Sequence, residues 1–313
     1  MAIPHLLSCD QFTREQVDQH LNTADLIGHD PDVPPGGTRV GLLFFEPSTR
    51  TRLSFETAAI RLGYRTLILL GSEATSLAKG ESIEDTVRVA GQFAHLLVLR
   101  HPSRRAIFQA AEKSRCPVVN AGNGDGEHPT QALGDLLTIR RKVGRLDGIH
   151  VAMTGDLLYS RTVHSLIKML NLYRGVHLHL VPLRGCEVDP RNIISGRFRF
   201  DGYSTYPSVR VMIDQVGPTL NVAYATRLQT ERWPPGIAAD PAVPDRSNYP
   251  LCMWTKGLAE DLPENCIILD PLPRVQEMDV AVDDNPRALY LTAQIESGIH
   301  VRMAVLKMLL NKV

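Results

Sequence analysis

Phe44-Phe45-Glu46-Pro47-Ser48-Thr49-Arg50-Thr51-Arg52-Leu53-Ser54-Phe55 is the stretch on which the reading of the fold turns. Val40 to Phe45 is an apolar run of strand length, and Glu46-Pro47 breaks it. A helix-period run then continues to Ile60 and Leu62, where Gly63 is placed to close the helix as a left-handed cap. The helix therefore starts on Ser48, Thr49, Arg50, Thr51 and Arg52. Hydroxyls, guanidinium groups and unbonded backbone N–H groups are concentrated at the positive end of a helix dipole. That combination favours an anion, above all a phosphate. Taken alone, an ordinary N-cap with two surface arginines is an equal alternative.

The same strand-then-helix unit repeats outward from this stretch. Thr66–Leu70 reads as a strand, and a loop with Ser76 and Lys79 follows. Ser82 stands three residues before Asp85, a capping pattern for a helix Ile83–Phe93. Leu96–Leu99 is the next strand, Ser103 caps a helix to about Ser114, and Val118–Val119 is a short strand. The pattern restarts with a strand Ile149–Met153 and a helix Arg161–Asn171. Later strands are expected at Val176–Val181, Leu220–Ala225 and Cys266–Leu269. Such alternation predicts an α/β fold. Two similar-sized domains are expected, each a largely parallel sheet flanked by helices. Bridging helices, one of them Gln131 to Val143, are expected to join them. The boundaries are placed at 1–130 and 131–285, followed by a C-terminal helix in 286–313. Ser48, Arg100 and His128 fall in loops after strands, where open α/β sheets hold ligands. The segment 182–210 has no clean period. Thr230 to Pro250 is rich in proline and reads as a loop over the site.

Composition narrows the function classes. The chain has 313 residues, ample for two domains. Lys+Arg and Asp+Glu both count 34, so a positive field must be confined to a pocket. Neither nucleic acid nor a membrane surface is expected as a partner. The five cysteines are scattered, without Cys-x-x-Cys spacing, and read as reduced thiols of a cytoplasmic protein. No basic segment followed by an apolar run opens the chain, and no stretch approaches membrane-spanning length. No His/Cys/carboxylate cluster has ligand spacing, so neither metal nor cofactor is expected. Gly155-Asp156-Leu157 is not followed by a dinucleotide fingerprint, which argues against a nucleotide there.

Further motifs run in order along the chain. They are Ser76-Leu77-Ala78-Lys79-Gly80-Glu81-Ser82, Leu99-Arg100-His101-Pro102, and Gly126-Glu127-His128-Pro129-Thr130-Gln131-Ala132-Leu133. Next come Gly155-Asp156-Leu157-Leu158-Tyr159-Ser160-Arg161-Thr162, Thr226-Arg227-Leu228-Gln229 and Asp270-Pro271-Leu272-Pro273-Arg274. Together with Ser-Thr-Arg-Thr-Arg, this series resembles the aspartate and ornithine carbamoyltransferase family, on its aspartate branch. Asp270-Pro271-Leu272-Pro273 differs from the His-Cys-Leu-Pro of the ornithine branch.

The resemblance implies transfer of a carbamoyl group from carbamoyl phosphate to L-aspartate, a step toward pyrimidines, and it implies that the C-terminal helix in 286–313 returns to complete the first domain. It implies that Ser48, Thr49, Arg50 and Thr51 cradle the phosphate, with Arg50 adding a planar fork. Thr51, Arg100 and His128 are implied to polarise the carbonyl oxygen as an oxyanion hole. Gln131, about one helical turn past His128, faces the carbamoyl amide, as do the Pro271 and Leu272 carbonyls. Ser76 and Lys79 are implied to reach a neighbouring subunit's site, which makes the chain a homotrimer or larger. Lys79 would then contact both substrates. Arg161 takes the α-carboxylate of aspartate, and Arg227 with Gln229 takes its side-chain carboxylate. Glu46 is read equally as a partner for Arg100 or another arginine and as a solvated turn residue.

Asp270 departs from the family, which has His there. An acid beside an anionic substrate weakens binding, raises its own pKa, or pairs with Arg274 or a neighbour. Two alternatives follow. One is a related carbamoyltransferase with another amine acceptor, which the presence of Arg161, Arg227 and Gln229 speaks against. The other is a non-catalytic homologue, in which loss of Arg50, Lys79, Arg100 or His128 would be expected.

Overall fold

The computed structural model describes residues 3–27, 37–71, 76–189, 202–233 and 249–311. The backbone divides into two compact units, 1–134 with 295–313, and 135–294. Both division points fall inside helices, α5 (Pro129–Val143) and the C-terminal helix Ala293–Leu310.

In the first unit a four-stranded sheet has the order β2-β1-β3-β4. Its strands are β1 (Arg39–Phe44), β2 (Arg65–Leu70), β3 (Leu96–His101) and β4 (Val118–Asn123), and every pairing is parallel. The central strands β1 and β3 are buried almost throughout, as expected of parallel strands covered on both faces, and β4 at the end of the order is buried too, with Leu6 bridged to Val119 alongside it. Leu43, Phe45, Leu97, Leu99 and Val118 pack against Ile83, Val87, Ile107 and Ala110 of the flanking helices α3 (Ile83–Phe93) and α4 (Ala106–Lys113). β2 is the edge, and Leu67, Ile68 and Leu70 stay 39–42 % exposed on it.

Several local readings agree with the backbone. α2 spans Thr49–Arg61, and Gly63 follows it with φ of +69°. Ser82 caps α3 by accepting from the Asp85 amide at 3.1 Å. Ser103 is a correction. It accepts from the Arg105 amide at 3.3 Å inside a turn, and α4 begins only at Ala106. The hydroxyl here closes a local turn instead of capping the helix, a competition open to every Ser near a helix start.

The second unit holds a five-stranded parallel sheet of order β7-β6-β5-β8-β9. Its strands are β5 (His150–Gly155), β6 (His177–Pro182), β7 (Gly202–Thr205), β8 (Val222–Thr226) and β9 (Ile267–Leu269). β7 lies in the segment that lacked a sequence period, as does the start of the helix Val209–Val216. Residues 190–201 of that segment lie outside the described residues, and so do 234–248 of the proline-rich loop. The core gathers Val181, Met212, Ala223, Trp254 and Ile268 between sheet and helices.

Strand order fixes where ligands can bind. In the first sheet the chain turns to opposite sides after β1 and β3, so a crevice opens beyond their C-terminal ends. In the second sheet β5 and β8 form the corresponding switch point. Gly155 ends β5 there with φ of +103°, and a Cβ on it would fall 1.9 Å from the Thr226 carbonyl oxygen. Only glycine permits that approach.

Among the described residues no helix is long and apolar enough to cross a membrane. All five cysteines are buried and unbridged.

Candidate active site

The first switch point collects the residues of the anion cradle. Ser48 is the N-cap residue of α2, extended at φ −162° and ψ 103°, and its hydroxyl makes no capping bond. Thr49 and Arg50 are exposed on the first turn, while Thr51 is buried. Thr51 Oγ1 is hydrogen-bonded to His128 Nε2 at 3.2 Å. Arg100 stands opposite Phe44 in the β1–β3 register, so its side chain emerges beside the cradle. Its Nη2 lies 3.2 Å from Glu46 Oε1, both side chains being largely buried. This settles the two readings of Glu46 in favour of the arginine partner. Burying a lone guanidinium is costly, and the carboxylate offsets that cost. A pocket of about 360 Å³ opens here, lined by Phe45, Glu46, Ser48, Thr49, Arg52 and Gly71 among others.

His128 is held from behind by contacts that no short motif reveals. Asn123 Oδ1 accepts from the Glu127 amide at 2.8 Å, and Asn123 Nδ2 donates to the Arg104 carbonyl at 3.0 Å. Glu127 accepts from Ser8 Oγ at 2.8 Å and from the Cys9 amide at 2.6 Å. The loop that delivers His128 is thus fixed on both sides before α5 begins. Gln131, half-buried, follows on the first turn of α5, and its amide donates to the His128 carbonyl at 3.0 Å. The C-terminal helix supports α2 in turn. Arg302 Nη1 donates to Ser54 Oγ at 2.9 Å, and its guanidinium lies over the Phe55 ring at 5.2 Å. Gly134 and Gly298 permit close packing of two helices, since a Cβ on Gly134 would come within 3.1 Å of Gly298 Cα.

Lys79 is exposed at the end of a short 3₁₀ turn, Ser76–Lys79. The side chain of Ser76 lies outside what is described.

The second switch point carries the arginines expected to face an acceptor. Arg161 opens helix α6 (Arg161–Leu170) and is buried. Ser160 before it is hydrogen-bonded to Thr162 Oγ1 and Thr226 Oγ1, each at 3.0 Å, which ties the start of α6 to the end of β8. His164 Nε2 donates to the Leu158 carbonyl at 2.8 Å. Arg227 follows β8, half-buried, and grips Glu231 with two bonds of 3.0 and 2.5 Å. Hydrogen bonding to Glu231 raises the Arg227 pKa, although burial opposes it. Burial pushes the Glu231 carboxyl up, but its bonds to Arg227 and the backbone prevail and leave it below the ordinary value.

Asp156 was read as part of the Gly155–Thr162 motif and given no role of its own. It is fully buried and organises this loop, accepting from the Tyr159 amide, the Gln229 amide and Trp233 Nε1, each at 3.0 Å. Gln229 Nε2 in turn donates to the Arg227 carbonyl at 3.2 Å. Arg227 and Gln229 are therefore linked through the Arg227 carbonyl.

Pro271 and Leu272 follow β9 and are half-buried. Leu272 has φ of +58°, a left-handed conformation that a branched side chain disfavours. Its amide is held by Asp270 Oδ1 at 2.5 Å. Asp270 does not pair with Arg274. Arg274 bonds Asp283 and Tyr290 instead. No cluster of His, Cys, Asp or Glu able to hold a metal ion is found among the described residues.

Two family models cover most of the chain. The carbamoyl-P binding domain of aspartate/ornithine carbamoyltransferase matches residues 4–141, and the Asp/Orn binding domain matches residues 147–309. The chain belongs to the aspartate/ornithine carbamoyltransferase family.

Within that family the aspartate branch is the near one. The aspartate carbamoyltransferase catalytic subunits of Methanothrix thermoacetophila and Methanocaldococcus jannaschii are each 42 % identical, with 98 % of both chains covered. Among solved structures, the catalytic subunit of M. jannaschii aspartate transcarbamoylase superposes with a TM-score of 0.86 at 38 % identity, covering 100 % of this chain and 99 % of that one. Trypanosoma cruzi aspartate transcarbamoylase in complex with carbamoyl phosphate and aspartate gives 0.84 at 33 % identity, covering 97 % and 94 %.

Proposed function

We infer that this protein is an aspartate carbamoyltransferase: it transfers the carbamoyl group of carbamoyl phosphate to the amino group of L-aspartate and releases phosphate. The observation that carries this reading is the Ser48–Thr51 helix start beside Arg100 and the Thr51–His128 pair. Full-length likeness to aspartate carbamoyltransferase catalytic subunits supports it, as does the likeness to a structure holding both substrates.

In this reading the first-turn amides and the Ser48, Thr49 and Thr51 hydroxyls bind the phosphate oxygens. Arg50 completes that set with a planar fork. Arg100 and His128, with Thr51, donate toward the carbonyl oxygen, where negative charge grows as the amine attacks. Such donors act without reorganising, because Glu46 and Asn123 already fix the groups that carry them. Gln131 and the Pro271 and Leu272 carbonyls orient the carbamoyl amide. Arg161 receives the α-carboxylate of aspartate, and Arg227 with Gln229 receives the side-chain carboxylate. Arg227 already holds a carboxylate in Glu231, so the acceptor shares or replaces that partner. The departing phosphate takes the amine's proton.

The active assembly in this reading is a homotrimer or larger, with Ser76 and Lys79 serving a neighbouring chain. Exposed Leu67, Ile68 and Leu70 on the edge strand β2 support it, since an uncovered apolar edge invites a second chain. The exposure of Lys79 supports it as well. The reading also places the protein in the cytoplasm, where both substrates would be met.

Mixing inactive subunits tests function and assembly together. Lys79→Ala and Arg50→Ala proteins are each expected to be inactive when pure. Co-reassembled, they should regain part of the wild-type rate of N-carbamoyl-L-aspartate formation, because some interfaces join an intact Arg50 to an intact Lys79. Mixed oligomers that form and stay inactive would sink the shared site.

A further inference from the structure

We propose that Glu127 is a positioning residue for His128, and that the segment 5–9 holds it in place, so that turnover depends on side chains and amides 118 and 119 positions away in sequence. The proposal rests on the reading that His128 donates toward the carbonyl oxygen of carbamoyl phosphate.

The segment 5–9 runs beside β4, where Leu6 bridges Val119 in parallel. The Leu6 amide donates to the Val118 carbonyl at 3.0 Å, and the Leu6 carbonyl accepts from the Asn120 amide at 2.8 Å. The Val118 amide donates to His5 Nδ1 at 3.1 Å, and Asn120 Nδ2 donates to the Leu7 carbonyl at 2.8 Å. Leu6 and Cys9 are buried. Ser8 is extended, at φ −146° and ψ 152°, and caps a 3₁₀ turn, Cys9–Gln11. Gln11 Oε1 closes that turn by accepting from the Ser8 amide at 3.0 Å. The start of the turn therefore aims two donors at one carboxylate. Ser8 Oγ donates to Glu127 Oε1 at 2.8 Å, and the Cys9 amide donates to Glu127 Oε2 at 2.6 Å.

The backbone of Glu127 is held by the end of β4. Its amide donates to Asn123 Oδ1 at 2.8 Å, and its carbonyl accepts from the Asn123 amide at 3.4 Å. Asn120 Nδ2 reaches Asn123 Oδ1 at 3.3 Å, so the strand and the loop share one network. The turn is tight: a Cβ on Gly126 would fall 2.8 Å from Asn123 Oδ1. Side chain and backbone of Glu127 are thus anchored by different parts of the chain, and His128 is the next residue. His128 is buried, with Nε2 at 3.2 Å from Thr51 Oγ1. A misplacement of about 1 Å in such a group costs up to about 10²-fold in rate. Without the Glu127 carboxylate only the Asn123 anchor is left.

Hydrogen-bond acceptance, not charge, is what this hold requires. A glutamine at 127 meets the same two donors. Its oxygen accepts from the Cys9 amide, and its Nε2 donates to Ser8 Oγ. Ser8 Oγ then gives its own hydrogen to Asp10 Oδ2, which lies 3.2 Å away. An alanine takes the acceptor away from both donors.

Steady-state kinetics on single and double variants tests this. Glu127→Ala should lower kcat by about 10- to 10²-fold and leave KM for carbamoyl phosphate within about threefold, because the donor acts on charge that grows in the transition state. Glu127→Gln should keep at least about one third of the wild-type kcat. In a His128→Ala background, E127A should change kcat by less than about threefold, since the group it positions is gone. Ser8→Ala removes one donor. It should lower kcat by at least about threefold, again only while His128 is present, and it carries the test if E127A does not fold. A wild-type kcat in E127A, or in S8A where E127A does not fold, would overturn the proposal. A loss that persists in full beside H128A would also overturn it, since it marks a general loosening. E127Q as slow as E127A would overturn the hydrogen-bonded hold. A near-normal kcat in H128A would instead remove the reading of His128 on which the proposal rests.

Discussion

Arg50→Ala is expected to lower kcat/KM for carbamoyl phosphate by about 10³-fold, roughly 4 kcal/mol of transition-state stabilisation. Arg50 is exposed on the first turn of α2, so its replacement should change folding stability by no more than about 0.5 kcal/mol. The loss is therefore chemical. Arg50→Lys should remain at least about 10²-fold down, because an ammonium is a point charge and cannot grip two phosphate oxygens in one plane. Steady-state kinetics with a thermal-unfolding control reads both variants. An alanine variant with near-normal kcat/KM would remove Arg50 from the phosphate cradle.

The second large effect concerns a compound in which a phosphonoacetyl group is joined to L-aspartate. The phosphonate and carbonyl stand in for carbamoyl phosphate, and the aspartate part stands in for the acceptor. One molecule avoids the loss of translational freedom that a separate second ligand suffers. Its Kd should lie at least about 10³-fold below that of phosphonoacetate. Arg227→Ala should weaken the joined compound by about 10²-fold, the worth of a charged bidentate contact, and leave phosphonoacetate unchanged. Calorimetric titration of both ligands into both proteins measures this. Equal affinities for the joined compound and for phosphonoacetate would mean that the acceptor half of the site does not recognise aspartate.

Legibility in the sequence followed the range of the interactions. The helix start at Ser48 was readable because it is local: strand, break, hydroxyls and arginines lie next to one another. Arg227 and Gln229 were singled out through the family resemblance, not from their spacing. The Arg227–Glu231 grip is an i,i+4 pair that could have been noticed and was not. Glu46 could not be decided, because its partner Arg100 comes from another strand and only the β1–β3 register brings the two together. Asn123 and Glu127 fix His128 through contacts with Arg104 and with Ser8 and Cys9, which no linear motif encodes. Asp156 was quoted within a motif and given no role, because its work as a loop anchor depends on β8 lying beside β5. Asp270 was legible as an oddity, but its partner was not. Arg274 was the nearer guess on charge, whereas Asp270 Oδ1 holds the Leu272 amide and Arg274 goes to Asp283 and Tyr290. β7 escaped because only four residues form it, too few for a period of two to stand out.

The central claim is that the acceptor is aspartate, and an acceptor panel tests it most directly. Carbamoyl phosphate is supplied with L-aspartate, L-glutamate, L-ornithine, L-asparagine or putrescine, and both phosphate and carbamoylated product are scored. The account predicts N-carbamoyl-L-aspartate, with kcat/KM for L-aspartate at least about 10²-fold above every other amine: putrescine leaves both arginines without a carboxylate, ornithine and asparagine leave Arg227 without one, and glutamate's extra methylene displaces its side-chain carboxylate or its amine. Faster carbamoylation of any other amine, or phosphate release without N-carbamoyl-L-aspartate, would contradict it.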